Sequence, residues 1–171
     1  LLDQAIALGA EIDLQEDLEI RDNKTSKTVI TDSSSYEALT VIIAAGSKHR
    51  QLGLPFENEF VGNGISYCAV CDGAFYADKK VAVIGGGNSA LQDAVMLSER
   101  CSHVTIIQNL DFLTGEMSLQ NIVNSRENID IMFSCVVKSL NGEDCLKSIT
   151  IKNTKTDEVS DLELDAIFVA I

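Results

Sequence analysis

Basic residues are scarce: 13 Lys and Arg stand against 26 Asp and Glu, a formal net charge of −13. Proteins that hold nucleic acid do so with clustered cations on phosphates, and these cations are dispersed, which argues against that class of partner. No apolar run approaches the ~20 residues needed to span a bilayer, so no membrane segment is expected. The opening Leu1-Leu2-Asp3-Gln4 lacks the basic stretch of a secretory leader. The chain does not begin with Met, so an earlier segment is expected ahead of it. Internal repeats, low-complexity tracts and charge blocks are missing too. What remains is ordinary globular composition, 46% apolar and 23% charged, over 171 residues. That length allows one full domain, or one domain and part of another.

Cysteine is present but in the wrong arrangement for a disulfide scaffold: there are five, with one close pair and three scattered. Cys101, Cys135 and Cys145 lie in or beside apolar, strand-like stretches and read as buried, inert thiols. Cys68 and Cys71 stand apart, in Tyr67-Cys68-Ala69-Val70-Cys71-Asp72. One functional dithiol among reduced thiols fits a cytoplasmic location.

Residues 1–8 read as a helix end stopped by Gly9, with strand-like runs at 11–14, 18–21 and 28–31. Ser33-Ser34-Ser35 reads as a loop. Residues 39–45, almost wholly apolar and ending at Gly46, suit a strand buried on both faces. The stretch 48–64, with the only proline, Pro55, reads as a connection between two folding units. Beyond it the pattern predicts a strand at 81–84, a helix at 88–100, a strand at 104–108, a helix at 117–124 and a strand at 129–133. Strand–helix alternation of this kind gives a parallel sheet with right-handed crossovers. The β-type segments at 136–140, 146–153, 158–164 and 166–171 are joined by polar turns and look antiparallel. The expected fold is therefore α/β: a Rossmann-like parallel sheet with an attached antiparallel β-meander, residues 51–171, preceded by a partial domain at 1–50.

Val81-Ala82-Val83-Ile84-Gly85-Gly86-Gly87-Asn88-Ser89-Ala90 matches G-x-G-x-x-A between a strand and a helix. Gly85 permits the tight turn, Gly87 lets backbone approach a pyrophosphate, and the small Ala90 lets the helix pack close. The helix start, with Asn88 and Ser89, offers free N–H groups and a positive dipole to phosphates. In this context the motif is strong evidence for a pyridine nucleotide, and the plainer reading is a structural glycine turn. The residue that reads the adenosine ribose belongs about 20 residues on, at the end of the second strand. Gln108 and Asn109 occupy that place. They can bond a hydroxyl but cannot neutralise a phosphate dianion, and Asp111 nearby would oppose one. NADH is therefore favoured over NADPH, or both bind weakly.

Two cysteines at i and i+3 can close a small disulfide, and each can stabilise the other's thiolate. Asp72, next to Cys71, is placed to exchange protons with an attacking or leaving sulfur. The alternatives are half of a zinc site, which lacks a second CxxC, or two incidental buried cysteines. His49 and His103 are isolated and read as surface or loop residues. No metal site is expected.

At these two motifs the chain resembles the low-molecular-weight thioredoxin reductase family, over nearly its whole length. Ile42-Ile43-Ala44-Ala45-Gly46 is similar to the family's apolar strand ending in Ala-Thr-Gly, with Ala45 where Thr is usual. Leu52-Gly53-Leu54-Pro55 matches its connection out of the flavin domain. Ser66-Tyr67-Cys68-Ala69-Val70-Cys71-Asp72-Gly73-Ala74-Phe75-Tyr76 is similar to the redox signature, Gly85-Gly86-Gly87-Asn88-Ser89-Ala90 to the nucleotide loop, and residues 165–171 to the strand that leads back to the flavin domain. The resemblance implies a flavoprotein oxidoreductase in which electrons pass from NADPH to FAD, to the Cys68/Cys71 disulfide and on to thioredoxin. It implies that Cys71 lies nearer the flavin, that Cys68 attacks the substrate disulfide, and that Asp72 is the acid/base. It also implies a homodimer when full-length, and rotating domains hinged near 50–53 and just past Ile171.

The family's own FAD loop and its closing flavin segment have no counterpart here. The 171 residues therefore read as the nucleotide and disulfide domain with a flavin-domain remnant at 1–50, expected to be inactive alone. A second departure falls at the 2′-phosphate: the family's His-Arg-Arg and further Arg become Gln108, Asn109, Leu110 and Thr114. This leaves open another donor, such as ferredoxin, or another disulfide partner, such as a peroxiredoxin or glutaredoxin system. It also leaves open a non-catalytic, nucleotide-binding redox sensor.

Overall fold

The computed structural model describes residues 2–46 and 48–171. The chain divides into two units, Leu1–Ser47 and Lys48–Ile171. Among the described residues no helix is long and apolar enough to cross a membrane.

The first unit holds a short helix α1 (Leu2–Ala7) and an antiparallel sheet in the order β1 (Asp17–Asp22), β2 (Lys27–Thr31), β3 (Ser35–Ala38). Leu1, part of the helix expected from sequence, lies outside the described residues. The β1–β2 turn is closed by the Asp22 carboxylate, which accepts the Lys24 N–H at 2.8 Å, and Lys24 takes φ 72°. Three expectations fail in this unit. Residues 11–14 form no strand. Ser35, read as loop, begins β3, whose sequence Ser-Tyr-Glu-Ala lacks the apolar alternation that would have marked it. Residues 39–45 form no strand either: Leu39 is 82% and Ile42 92% exposed. A strand buried on both faces needs neighbours to complete its ladder and cover its faces, and the described part of this unit pairs none with it.

The second unit is built on a five-stranded parallel sheet. Its strands, in spatial order, are β4 (Ile65–Ser66), β11 (Ala166–Val169), β5 (Lys80–Ile84), β6 (His103–Ile107) and β7 (Ile129–Met132). An antiparallel meander of β8 (Cys135–Gly142), β9 (Leu146–Asn153) and β10 (Val159–Glu163) follows β7. The apolar runs of the central strands are explained by burial on both faces. Val81 and Val83 of β5 pack with Leu91 and Leu97 of helix α4 (Asn88–Ser98) and with Val123 of helix α5 (Met117–Asn124). Ala82 and Ile84 of the same strand face the meander's Leu140, Leu146, Ile149 and Ile151. Each of these buried Val, Leu and Ile side chains contributes about 1.5–3 kcal/mol.

The last segment, expected among the antiparallel strands, instead crosses back as β11 into the middle of the parallel sheet. Its four residues are all buried, so its sequence alone does not separate a meander strand from a central parallel one. Helix α4 ends at Ser98, two residues short of the expected end. The short helix α2 (Glu57–Phe60) falls within the stretch 48–64 expected as a connection, and the short helix α3 (Ala69–Asp72) and the 3₁₀ turn Gly73–Tyr76 lie between β4 and β5.

Candidate functional site

The C-terminal ends of the parallel strands carry both sequence motifs, which is where open α/β sheets place their ligands. From the end of β4 the chain turns into α3, and Cys68 is that helix's N-cap. Its sulfur lies 3.2 Å from the Cys71 backbone nitrogen, and the two side chains are joined as a disulfide with 5.3 Å between Cα atoms. Cys71 is exposed and Cys68 half-buried. Ala69 is buried in the core that includes Leu97 of α4, and a Cβ at Gly73 would lie 3.0 Å from the Leu97 side chain. Thus α3 is fixed from below while its outer face carries Val70 and, just beyond it, Phe75, both 79% exposed.

Asp72, half-buried, is held by Ser66, a residue only 3% exposed. The Ser66 hydroxyl donates to Asp72 Oδ2 at 2.7 Å, and Ser66 Oγ accepts the Cys68 N–H at 3.0 Å. The Cys68 carbonyl is a poorer acceptor for that hydroxyl, at 3.3 Å. With one proton to give, the shorter, charge-assisted bond to the carboxylate wins.

A second buried group ties the entry segment to this site. Glu57, 4% exposed, accepts the N–H groups of Leu52 and Gly53 at 2.8 Å each and of Leu54 at 3.3 Å. It also accepts the hydroxyl of Tyr67, the residue before Cys68, at 2.9 Å. Burial, and after it the Glu57 carboxylate, pushes the Tyr67 phenol from 10.0 up to about 12. His49 stacks on the Tyr67 ring, centroids 5.4 Å apart.

The glycine loop forms one wall of a cleft of about 510 Å³, within the usual range for small-molecule sites. Arg50, Leu52, Asn109, Thr114 and Val137 are among its other lining residues. Gly85 takes φ +132°, and a Cβ there would lie 2.3 Å from the Ala170 carbonyl oxygen, so only glycine fits. At Gly87 a Cβ would meet nothing nearer than Thr114 Oγ1 at 3.7 Å. That open space at the start of α4 suits the close approach of a pyrophosphate. Ala90 is buried under the loop, whereas Asn88 and Ser89 are exposed. The Asn88 side chain is committed elsewhere, accepting the Glu116 N–H at 2.7 Å.

Gln108 and Asn109 both line the cleft but differ in freedom. Gln108 is 4% exposed, packs under Gly86 and donates its amide to the Phe112 carbonyl at 3.1 Å. Asn109 is exposed and has no such engagement among the described hydrogen bonds. Asp111 does not line the cleft: it pairs with Lys155 at 2.8 Å, and the Lys155 ammonium holds its carboxyl below the usual carboxylate range. The repulsion expected from Asp111 is therefore offset. Of the remaining thiols Cys101 and Cys135 are buried, and burial pushes both upward. Cys145 lies directly beside β9, as expected, but is half-buried rather than buried.

Ser66 and Glu57 were not assigned roles from sequence. A hydroxyl two residues before Cys68 is a known local turn signal and accounts for the Cys68 N–H bond. Nothing in the sequence announces the reach from Ser66 to Asp72, which depends on how α3 folds back.

The family model for pyridine nucleotide-disulphide oxidoreductases matches residues 5–171. Thioredoxin reductase of Bacillus subtilis is 37% identical over 172 residues, covering 100% of this chain and 54% of the relative. Thioredoxin reductase of Treponema pallidum is 36% identical over 165 residues, covering 96% of this chain and 54% of the relative. The crystal structure of Lactococcus lactis thioredoxin reductase superposes with a TM-score of 0.79 at 35% identity, covering 97% of this chain and 55% of that one. The chain spans about half the length of the curated relatives it matches.

Proposed function

The chain belongs to the pyridine nucleotide-disulphide oxidoreductase family, and from that premise we propose that it is the nucleotide- and disulfide-bearing part of a thioredoxin reductase-like flavoprotein. One observation carries the reading: the Cys68–Cys71 disulfide, with Asp72 beside it, follows the C-terminal end of β4 as the glycine loop of the cleft follows that of β5 in the same parallel sheet. In this reading a pyridine nucleotide lies in that cleft. Its pyrophosphate is held at Gly85, Gly86, Gly87 and the start of α4, with Asn88, Ser89 and Ala90 shaping the turn. Asn109, and to a lesser extent Gln108, meets the adenosine ribose. FAD supplies the two-electron link between nicotinamide and disulfide. Among the described residues the strand–glycine loop–helix unit at β5–α4 is the only one, so a flavin site is expected from the rest of a longer protein, with residues 1–50 as part of it.

The chain's own residues then account for the disulfide chemistry. Cys68 attacks the substrate disulfide, Asp72 moves the proton that the leaving sulfur needs, and Cys71 closes on Cys68 to release the second thiol. Val70 and Phe75 offer apolar surface beside the dithiol for thioredoxin or a thioredoxin-like protein. A cytoplasmic homodimer is the expected setting.

The donor is NADH in preference to NADPH, because none of the residues at 108, 109, 110 and 114 is a cation. Stopped-flow flavin reduction in the intact flavoprotein tests this: NADH is expected to reduce it at least as fast as NADPH, and a clear NADPH preference refutes it. The same missing cations favour a second reading, in which a non-nucleotide donor such as reduced ferredoxin serves. That reading takes over if neither nucleotide reduces the flavin.

A further inference from the structure

We propose that Ser66 is a positioning residue for disulfide exchange, acting through the Asp72 carboxylate; the proposal rests on the reading of Cys68 and Cys71 as the reacting pair. Ser66 is a buried hydroxyl at the end of a two-residue strand, paired with Phe168 of β11, so its backbone is fixed by the central sheet. Its oxygen accepts from the Cys68 N–H at 3.0 Å and its proton goes to Asp72 Oδ2 at 2.7 Å. One atom thereby sets both the start of the redox turn and the direction of the carboxylate. The Asp72 N–H donates to the Cys68 carbonyl at 3.0 Å, which closes the ring of contacts around the disulfide. No other side-chain hydrogen bond to Asp72 occurs among the described residues. Without Ser66 the carboxylate is free to rotate, and its oxygen is no longer presented in one direction.

The step it serves is balanced within the dithiol. The Cys68 thiolate attacks a substrate disulfide, its S–S bond breaks as the Cys68–substrate bond forms, and the first substrate sulfur leaves as a thiolate that takes a proton through Asp72. The Cys71 thiolate then attacks Cys68, the mixed disulfide breaks, and the second substrate sulfur leaves and is protonated. Two thiols are oxidised to the Cys68–Cys71 disulfide while one substrate disulfide becomes two thiols, and the two protons pass from protein to product. Only departures that need a proton depend on where the Asp72 carboxylate points. General acid–base assistance of this sort is worth about 10²–10⁴-fold, and misplacing its donor forfeits part of that.

The test uses the full 171-residue chain, reduced with dithiothreitol and freed of it, with re-formation of the Cys68–Cys71 disulfide followed by mass spectrometry. Two probes are compared: bis(2-hydroxyethyl) disulfide, whose alkyl thiolate needs a proton to leave, and an aromatic nitrobenzoate disulfide, whose thiolate leaves as an anion. Ser66→Ala is expected to slow the alkyl reaction about tenfold and to leave the aromatic one unchanged. Ser66→Thr, which keeps the hydroxyl, should retain the alkyl rate, and in an Asp72→Asn background Ser66→Ala should have no further effect. Equal slowing with both probes, no slowing with either, a Thr variant as slow as Ala, or full additivity with Asp72→Asn overturns the proposal. If the unsubstituted reduced chain re-forms no Cys68–Cys71 disulfide with either probe, the proposed function itself fails, which is a distinct result.

Discussion

Glu57 is a carboxylate in an interior position, and its four donors decide whether that position is tolerable. Three backbone N–H groups of 52–54 and the Tyr67 hydroxyl satisfy it, so burial costs little. Glu57→Gln replaces one acceptor oxygen with a donor NH₂ that faces those N–H groups, and a loss of about 1–3 kcal/mol is expected. The same change should be read by Tyr67. Its phenol lies well above 10.0 chiefly through burial and secondly through Glu57, so the variant should titrate at lower pH than about 12 without returning fully to 10.0. Absorbance at 295 nm, in a chain with Tyr36 and Tyr76 replaced by Phe, measures it. An unmoved titration would remove Glu57 from the account. Because the folded value is raised, the stabilisation from keeping Tyr67 protonated is complete below about 10 and is lost as pH rises through about 12.

The elements show why the glycine loop could be read from sequence and much of the rest could not. Its requirements are local: Gly85 needs φ +132° and a missing Cβ, and both follow from a strand turning at once into a helix. Gly85→Ala is expected to destabilise the chain by about 1–3 kcal/mol through backbone strain, with the Ala170 clash adding to it. Gly87→Ala, at φ −86° and in open space, should leave the denaturant midpoint nearly unchanged while weakening nucleotide binding to the intact flavoprotein. Chemical denaturation of the two variants side by side checks the contrast; equal destabilisation would contradict it. The run at 39–45 carried an equally clear apolar signal and misled, since a buried strand is defined by neighbours that its own residues do not encode. Likewise the burial of β11 was legible, but not its crossing into the parallel sheet. The Ser66–Asp72 and Glu57–Tyr67 contacts were illegible because each spans a turn whose path is fixed only on folding. The pairing of the two cysteines was legible because they sit at fixed spacing, Cys68 capping a short helix and Cys71 within it.

For the molecule as a whole, the relatives are about twice as long as the stretch they share with this chain. In the division of labour proposed above, thiol–disulfide exchange resides in these 171 residues, and electron entry through a flavin requires more. The two parts can be separated by experiment, since dithiothreitol replaces the nucleotide and flavin as the source of electrons. The most direct test mixes the reduced, dithiothreitol-free chain with oxidised thioredoxin and follows both proteins by alkylation and mass spectrometry. Thioredoxin should become a dithiol as the Cys68–Cys71 disulfide re-forms, one for one, and Cys68→Ser and Cys71→Ser should each abolish this transfer. A chain that keeps Cys68 and Cys71 reduced in the presence of excess oxidised thioredoxin, or that transfers equally well without either cysteine, would contradict the account.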